Sequence, residues 1–137
     1  MTDHRLHHWK PYLEKEDYAY LIQYVENLQC GIPNDKMIIL FGPGRSGKTT
    51  LKNDIVSYLG DNTCGEYAVS NDIIYSENIK PLVLFTGIHD QKNLKTITLI
   101  INLIKYKQSI ISDTTRLHLV NPRLLEHSRV IRLIHVF

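Results

Sequence analysis

The sequence predicts an α/β fold, with a mostly parallel sheet flanked by helices. Three observations carry that expectation. Met37-Ile38-Ile39-Leu40-Phe41 is a continuous apolar run, the pattern of a strand buried on both faces. A glycine-rich stretch follows it directly, and from Thr49 to Leu59 a helical pattern sets Leu51, Ile55 and Leu59 on one stripe before Gly60. Further apolar runs alternate with a helical pattern, as parallel strands joined by crossover helices require.

Each element can be argued in order. Residues 1–15 read as a polar N-terminal tail, and 16–137 as one domain. His4, His7 and His8 form either a metal cluster or, with no second ligand set nearby, a frayed end. Over 16–29 an amphipathic helix repeats Tyr18, Leu21, Ile22, Val25 and Leu28, and Gly31 stops it. Ile32-Pro33-Asn34-Asp35 turns into the first strand. Glu66 to Val69 is a short strand candidate, and Pro81 introduces another at Leu82-Val83-Leu84-Phe85. Leu94 to Ile104 has Leu94, Ile97, Ile101 and Ile104 in helical register. Ser109 to Ser112 reads as a hairpin arm, and Arg116 to Val120 and Val130 to Val136 as the last strands.

The glycine-rich stretch is Gly42-Pro43-Gly44-Arg45-Ser46-Gly47-Lys48-Thr49, a match to G-x-x-x-x-G-K-[ST]. Its chemistry follows from the residue types. Glycines let backbone N–H groups turn inward and meet phosphate oxygens. The helix behind them aims its N-terminal partial charge at the same point. The expected nucleotide contacts are Gly42, Gly44, Arg45, Ser46, Gly47, Lys48, Thr49 and Thr50. Lys48 reaches the β- and γ-phosphates of ATP or another NTP, and the Thr49 hydroxyl can ligate Mg²⁺. A chance glycine turn would not have a strand before it and a helix after it.

Composition narrows the setting. With 137 residues, 43% hydrophobic and 22% charged, the chain is an ordinary globular domain. A net charge of +2 does not argue for nucleic acid, so any basic surface must be local. Cys30 and Cys64 lie far apart without metal-ligand spacing and read as reduced thiols. The polar start is not a signal peptide, and Ile97 to Ile104 is too short to span a membrane. The expected setting is cytoplasmic or nuclear, with no membrane partner.

Beyond the P-loop, several features resemble the ATPase core of viral superfamily-3 helicases, in particular the poxvirus-type primase-helicase branch of large DNA viruses. They run over roughly residues 16–137. The helix over residues 16–25 and Gly31 precede the P-loop strand, and Leu59-Gly60-Asp61 follows the P-loop helix. Arg116-Leu117-His118-Leu119-Val120-Asn121 is similar to the family's strand ending in a polar sensor. Residues 124–137, with Arg129 and a final Phe137, are similar to its closing segment. The resemblance implies an AAA+-like five-stranded sheet, hydrolysis of ATP to ADP and phosphate, Mg²⁺, a homo-oligomeric ring or partner helicase, and single-stranded DNA.

The same resemblance implies roles for single residues. Asn121 would sense the γ-phosphate, or it is a turn residue before Pro122. Arg129 would reach a neighbouring subunit's nucleotide as a catalytic arginine, with Arg132 the runner-up, or it is a solvated strand-edge arginine. The family places an acid near Thr86 or Gly87, and this chain has none there. Asp90 is then either a displaced metal ligand or a loop aspartate. Lys105 and Lys107 would meet DNA phosphates, or they complement a helix end. Two other classes fit the P-loop: a degenerate nucleotide-binding module that joins or regulates a partner helicase without hydrolysis, and a small kinase.

Overall fold

The computed structural model describes residues 6–44, 47–60, 63–66 and 81–134. His4, the rest of the Glu66 to Val69 candidate, and Phe137 lie outside them. Helix α1 spans Lys15–Gln29, β1 Met37–Phe41, α2 Lys48–Leu59, β2 Cys64–Glu66 and β3 Leu82–Leu84. Helix α3 spans Leu94–Lys105, β4 Ser109–Thr114, α4 Pro122–Leu125 and β5 Ser128–Arg132.

The strands form one sheet in the order β2-β3-β4-β1-β5, and every pairing is parallel. Alternation along each strand sorts the core into two layers. Ile38 and Leu40 of β1 join Leu82, Leu84, Ile111 and Ile131 beneath α1 and α2. Met37 and Ile39 join Val83 and Ile110 beneath α3 and α4. Successive side chains of a strand point to opposite faces, so an apolar run buries both. The α/β architecture expected from the sequence is present, with the P-loop strand inside the sheet. Among the described residues, no helix is long and apolar enough to cross a membrane.

Four local expectations are corrected. Ser109 to Ser112 is not a hairpin arm; it belongs to β4, a fully buried strand between β1 and β3. Arg116 to Val120 is not a strand. Leu117–Leu119 forms one 3₁₀ turn, since β4 already holds the place beside β1. Leu94 is 64% exposed at the start of α3, and Ile100 takes the buried stripe with Ile97, Ile101 and Ile104. In the first of these elements only Ile110 and Ile111 are apolar, and so short a run cannot by itself tell a sheet strand from a local arm.

The fourth correction concerns the N-terminal segment. Residues 6–13 are not a loose tail. His7–Tyr12 forms a 3₁₀ turn, and Leu6, Trp9 and Leu13 are buried in the α1–α2 layer. An antiparallel bridge joins Leu13 to Leu133, and the Ile134 N–H donates to the Tyr12 carbonyl at 2.8 Å. His7 and His8 are solvent-exposed. His8 Nε2 is hydrogen-bonded to Asp54 Oδ2 at 3.0 Å. Among the described residues, no group of three His, Cys, Asp or Glu could hold a metal ion.

Candidate nucleotide-binding site

In a parallel sheet the carboxyl ends of the strands lie together, and ligands bind beyond them. Here that end gathers Phe41, Leu84, Thr114 and Arg132. The chain leaves β1 at Gly42, whose N–H donates to the Thr114 carbonyl at 3.4 Å. It re-enters helix at Gly47, in the left-handed region at φ 97°. A side chain there would be strained, and its Cβ would lie 3.3 Å from the Trp9 ring. Glycine at that position lets the chain turn sharply into α2 beneath the indole. Arg45 and Ser46 lie outside the described residues.

Lys48 opens α2 and is folded back over the loop. Its ammonium donates to the carbonyls of Gly42 and Pro43, each at 2.7 Å. Burial pushes its pKa below the usual lysine value; the nearby Asp113 raises it and Lys52 lowers it further. Thr49 and Thr50 are exposed in the first turn, where helix N–H groups lack intrahelical acceptors. This is an anion site built from backbone dipoles and one desolvated ammonium.

Two residues that the sequence reading missed complete the site. Asp113 stands one residue before the end of β4, paired in register with Leu40. Its Oδ2 lies 2.7 Å from the Lys52 ammonium, and its Oδ1 accepts the Gly87 N–H at 3.0 Å. Both side chains of the ion pair are almost wholly buried. The signal was Ile110-Ile111-Ser112-Asp113, an apolar run closing on an acid. Lys52, four residues after Lys48, shares its helix face. Thr114 joins the same network: its hydroxyl oxygen is 2.7 Å from His89 Nδ1 and accepts the Arg116 N–H at 2.9 Å.

Asp90, the candidate displaced acid, is engaged on its own loop. Gly87, at φ 73°, turns the loop so that the Asp90 carboxylate lies back over it, close enough to exclude a Cβ at Gly87. That carboxylate also sits 3.5 Å from His89 Nε2 and is largely exposed. A hard divalent cation prefers anionic oxygen. Asp90 is turned onto its own loop, and both oxygens of Asp113 are engaged. Among the described residues, this donor set therefore does not fit a Mg²⁺ held by the protein through a carboxylate.

The remaining expected residues are dispersed. The Asn121 side-chain oxygen accepts the Arg123 N–H at 2.9 Å and caps α4, with Pro122 at the first helical position. Arg129 pairs in register with Ile38, below the P-loop end of the sheet. Its Nη2 is 3.0 Å from Asp17 Oδ1, and its guanidinium lies 5.0 Å from the Tyr20 ring centre. Arg132 pairs with Phe41 at the P-loop end and stacks on that ring at 5.2 Å. Lys105 and Lys107 flank exposed Tyr106 ahead of β4, at the opposite end of the sheet. Lys107 also lines two clefts there, of about 400 and 300 Å³.

Comparison with known proteins rests on structure. No protein-family model matches the chain. No curated protein matches it either. Among solved structures, a point mutant of RuvB from Thermotoga maritima superposes with TM-score 0.63 at 20% identity, covering 89% of this chain and 46% of that one. The T. maritima RuvB Holliday junction branch migration motor gives TM-score 0.58 at 20% identity, over 89% and 45%. A second RuvB point mutant gives 0.62 at 20% identity, over 89% and 45%. This chain spans less than half the length of those RuvB chains. At such identity the likeness speaks for the fold alone, a parallel α/β core like that of the RuvB structures.

Proposed function

We propose that this chain binds the triphosphate of ATP, or of another NTP, at Gly42 to Thr50. The observation that carries the reading is Lys48, buried at the carboxyl end of β1 with its ammonium on the Gly42 and Pro43 carbonyls. Incoming phosphate oxygens would replace those two carbonyls as acceptors of the Lys48 ammonium and would meet the N–H groups at the start of α2. The Lys48 ammonium is thus in place before the ligand arrives, which limits the ordering that binding requires of it.

Hydrolysis is the reaction such a site supports. Water adds to the γ-phosphorus, the bond from that phosphorus to the β–γ bridging oxygen breaks, and ADP and phosphate leave. Developing charge on the equatorial oxygens calls for cations. Lys48 supplies one. Arg132 is better placed than Arg129 to supply another in a ring, because it stands exposed at the P-loop end while Arg129 is held by Asp17 and Tyr20. Asn121 would sense the γ-phosphate only by releasing its cap on α4. A viral superfamily-3-like helicase core acting on single-stranded DNA is the wider form of this reading.

A second reading is favoured by a specific observation. The carboxylate nearest the P-loop lysine is neutralised by Lys52. Among the described residues around Lys48, the acid at hand is committed rather than ready to activate water, as an interaction module that binds nucleotide without turning it over would have it. Phosphate release from the purified chain with ATP, with and without single-stranded DNA, separates the two when Lys48→Ala is run alongside. Turnover lost in the variant supports the ATPase, and DNA stimulation supports the helicase form. Nucleotide binding without turnover supports the module. Binding unchanged by Lys48→Ala would overturn both.

A further inference from the structure

We infer that Lys52, paired with Asp113, stands in for the divalent cation of P-loop sites, so that this chain binds a nucleoside triphosphate as tightly without a metal ion as with one. The inference rests on the P-loop reading above and deepens it.

Lysine is seldom buried unless it is paired. Lys52 is 6% exposed, one helical turn beyond Lys48 and on the same face of α2. Its ammonium is 2.7 Å from Asp113 Oδ2, while Gly87 N–H holds Oδ1 at 3.0 Å. The carboxylate is therefore spent twice, once on a fixed cation and once on a backbone donor. A metal ion seeking anionic oxygen would have to displace a lysine tethered in its place.

The adjoining cleft carries the same signature. It is about 220 Å³ and is lined by Thr49, Lys52, Asn53 and Thr86 on its polar side. None of its lining residues is acidic, and its one charged group is the Lys52 ammonium. A divalent cation entering it finds no anionic oxygen in that lining, while a phosphate oxygen can approach the Lys52 ammonium. Lys48, Lys52 and Asp113 together leave one net positive charge beside the loop. The helix N-terminus adds partial positive charge of the same sign. The strand that would carry an acid, β3, continues instead into Phe85, Thr86 and Gly87.

The test is a binding titration with a ribose-labelled fluorescent ATP analogue, in Mg²⁺ and in EDTA, on the whole chain. The expected wild-type dissociation constants agree within about threefold between the two buffers. Weakening by more than about tenfold in EDTA overturns the inference and leaves the P-loop reading standing. Binding in neither buffer sinks both.

Variants sharpen the result. Lys52→Met alone leaves a bare buried carboxylate and risks the fold. The double variant Lys52→Met/Asp113→Asn removes the pair without stranding a charge. It is expected to weaken binding in EDTA by at least about tenfold. Unchanged metal-free affinity in a double variant that melts like wild type also overturns the inference. Asp113→Asn alone frees the ammonium and should tighten metal-free binding; weaker binding there, in a folded protein, counts against it.

Discussion

Trp9 is the sharpest test of how the N-terminal segment serves the P-loop. Its indole is 6% exposed, packs edge-on to Tyr12 at 5.5 Å, and faces the Gly47 backbone. Its Nε1–H donates to Asp54 Oδ2 at 2.7 Å. Trp9→Ala removes all of this. Truncating a buried tryptophan costs about 3–5 kcal/mol. The indole bond to a carboxylate adds at the low end of about 1.5–3 kcal/mol, because Asp54 is partly solvated. Against a domain stability of about 5–15 kcal/mol, a loss of about 5 kcal/mol is large. With a urea m-value of about 1–3 kcal/mol/M, the midpoint should fall by roughly 2 M.

Far-UV circular dichroism is the assay for Trp9→Ala, since the variant lacks the chain's one tryptophan. Trp9→Phe keeps a ring against Gly47 and should lose only about 1–2 kcal/mol. Nucleotide affinity should follow the same order, because the indole is the wall behind the turn into α2. A Trp9→Ala loss below about 1 kcal/mol would falsify the packing described for residues 6–13.

Three further outcomes are expected. The Tyr24 hydroxyl donates to the Lys36 carbonyl at 2.9 Å and accepts the Ile110 N–H at 3.0 Å, so Tyr24→Phe should lower stability by about 1–3 kcal/mol in urea melts. An unchanged midpoint would count against those bonds. Ser112 Oγ is buried with no hydrogen-bond partner among the described residues, so Ser112→Ala should leave stability level or raise it by about 1 kcal/mol; a clear loss would reveal a bond not seen here. Burial holds the Lys48 pKa below the usual lysine value. Since the unfolded state keeps the higher value, charged Lys48 opposes folding at neutral pH, and that opposition fades as pH rises through the lowered value. Nucleotide affinity should fall over the same rise, before the ordinary lysine range near about 10.4, while Lys48→Arg stays level; a fall at that ordinary value would refute the shift.

Much of this was legible in the residues because local rules and packing agree. Met37 to Phe41, the glycines after it and the stripe of α2 each point to strand, turn and helix, and the fold obeys all three. The failures share one physical cause. Ser109 to Thr114 is short and apolar at its centre, and periodicity cannot say whether such a run pairs locally or across a sheet. Its place between β1 and β3 depends on tertiary pairing. Once β4 was misplaced, Asp113 could not be seen as a neighbour of the P-loop. Lys52 was hidden for the reason that lysine on a helix is ordinarily solvated. Trp9 sat in a stretch whose polar letters outnumber its buried ones, though Leu6, Trp9 and Leu13 are the ones that pack.

The place of β1 also sets a schedule for the chain's birth. Met37 to Phe41 leaves the ribosome before either of its two neighbours, β4 and β5, made from residues 109–114 and 128–132. At about 5–20 residues per second, the nascent strand waits several seconds with both edges unpaired. Throughout that interval every P-loop residue exists and the P-loop does not, since its anchors on Thr114 and Arg132 are still unmade. The candidate site is therefore complete only after nearly all of the described fold has been synthesised, and a fragment ending before residue 128 would keep the motif but lack a strand beside β1. The exposed apolar strand is the stage at which this protein most needs a chaperone.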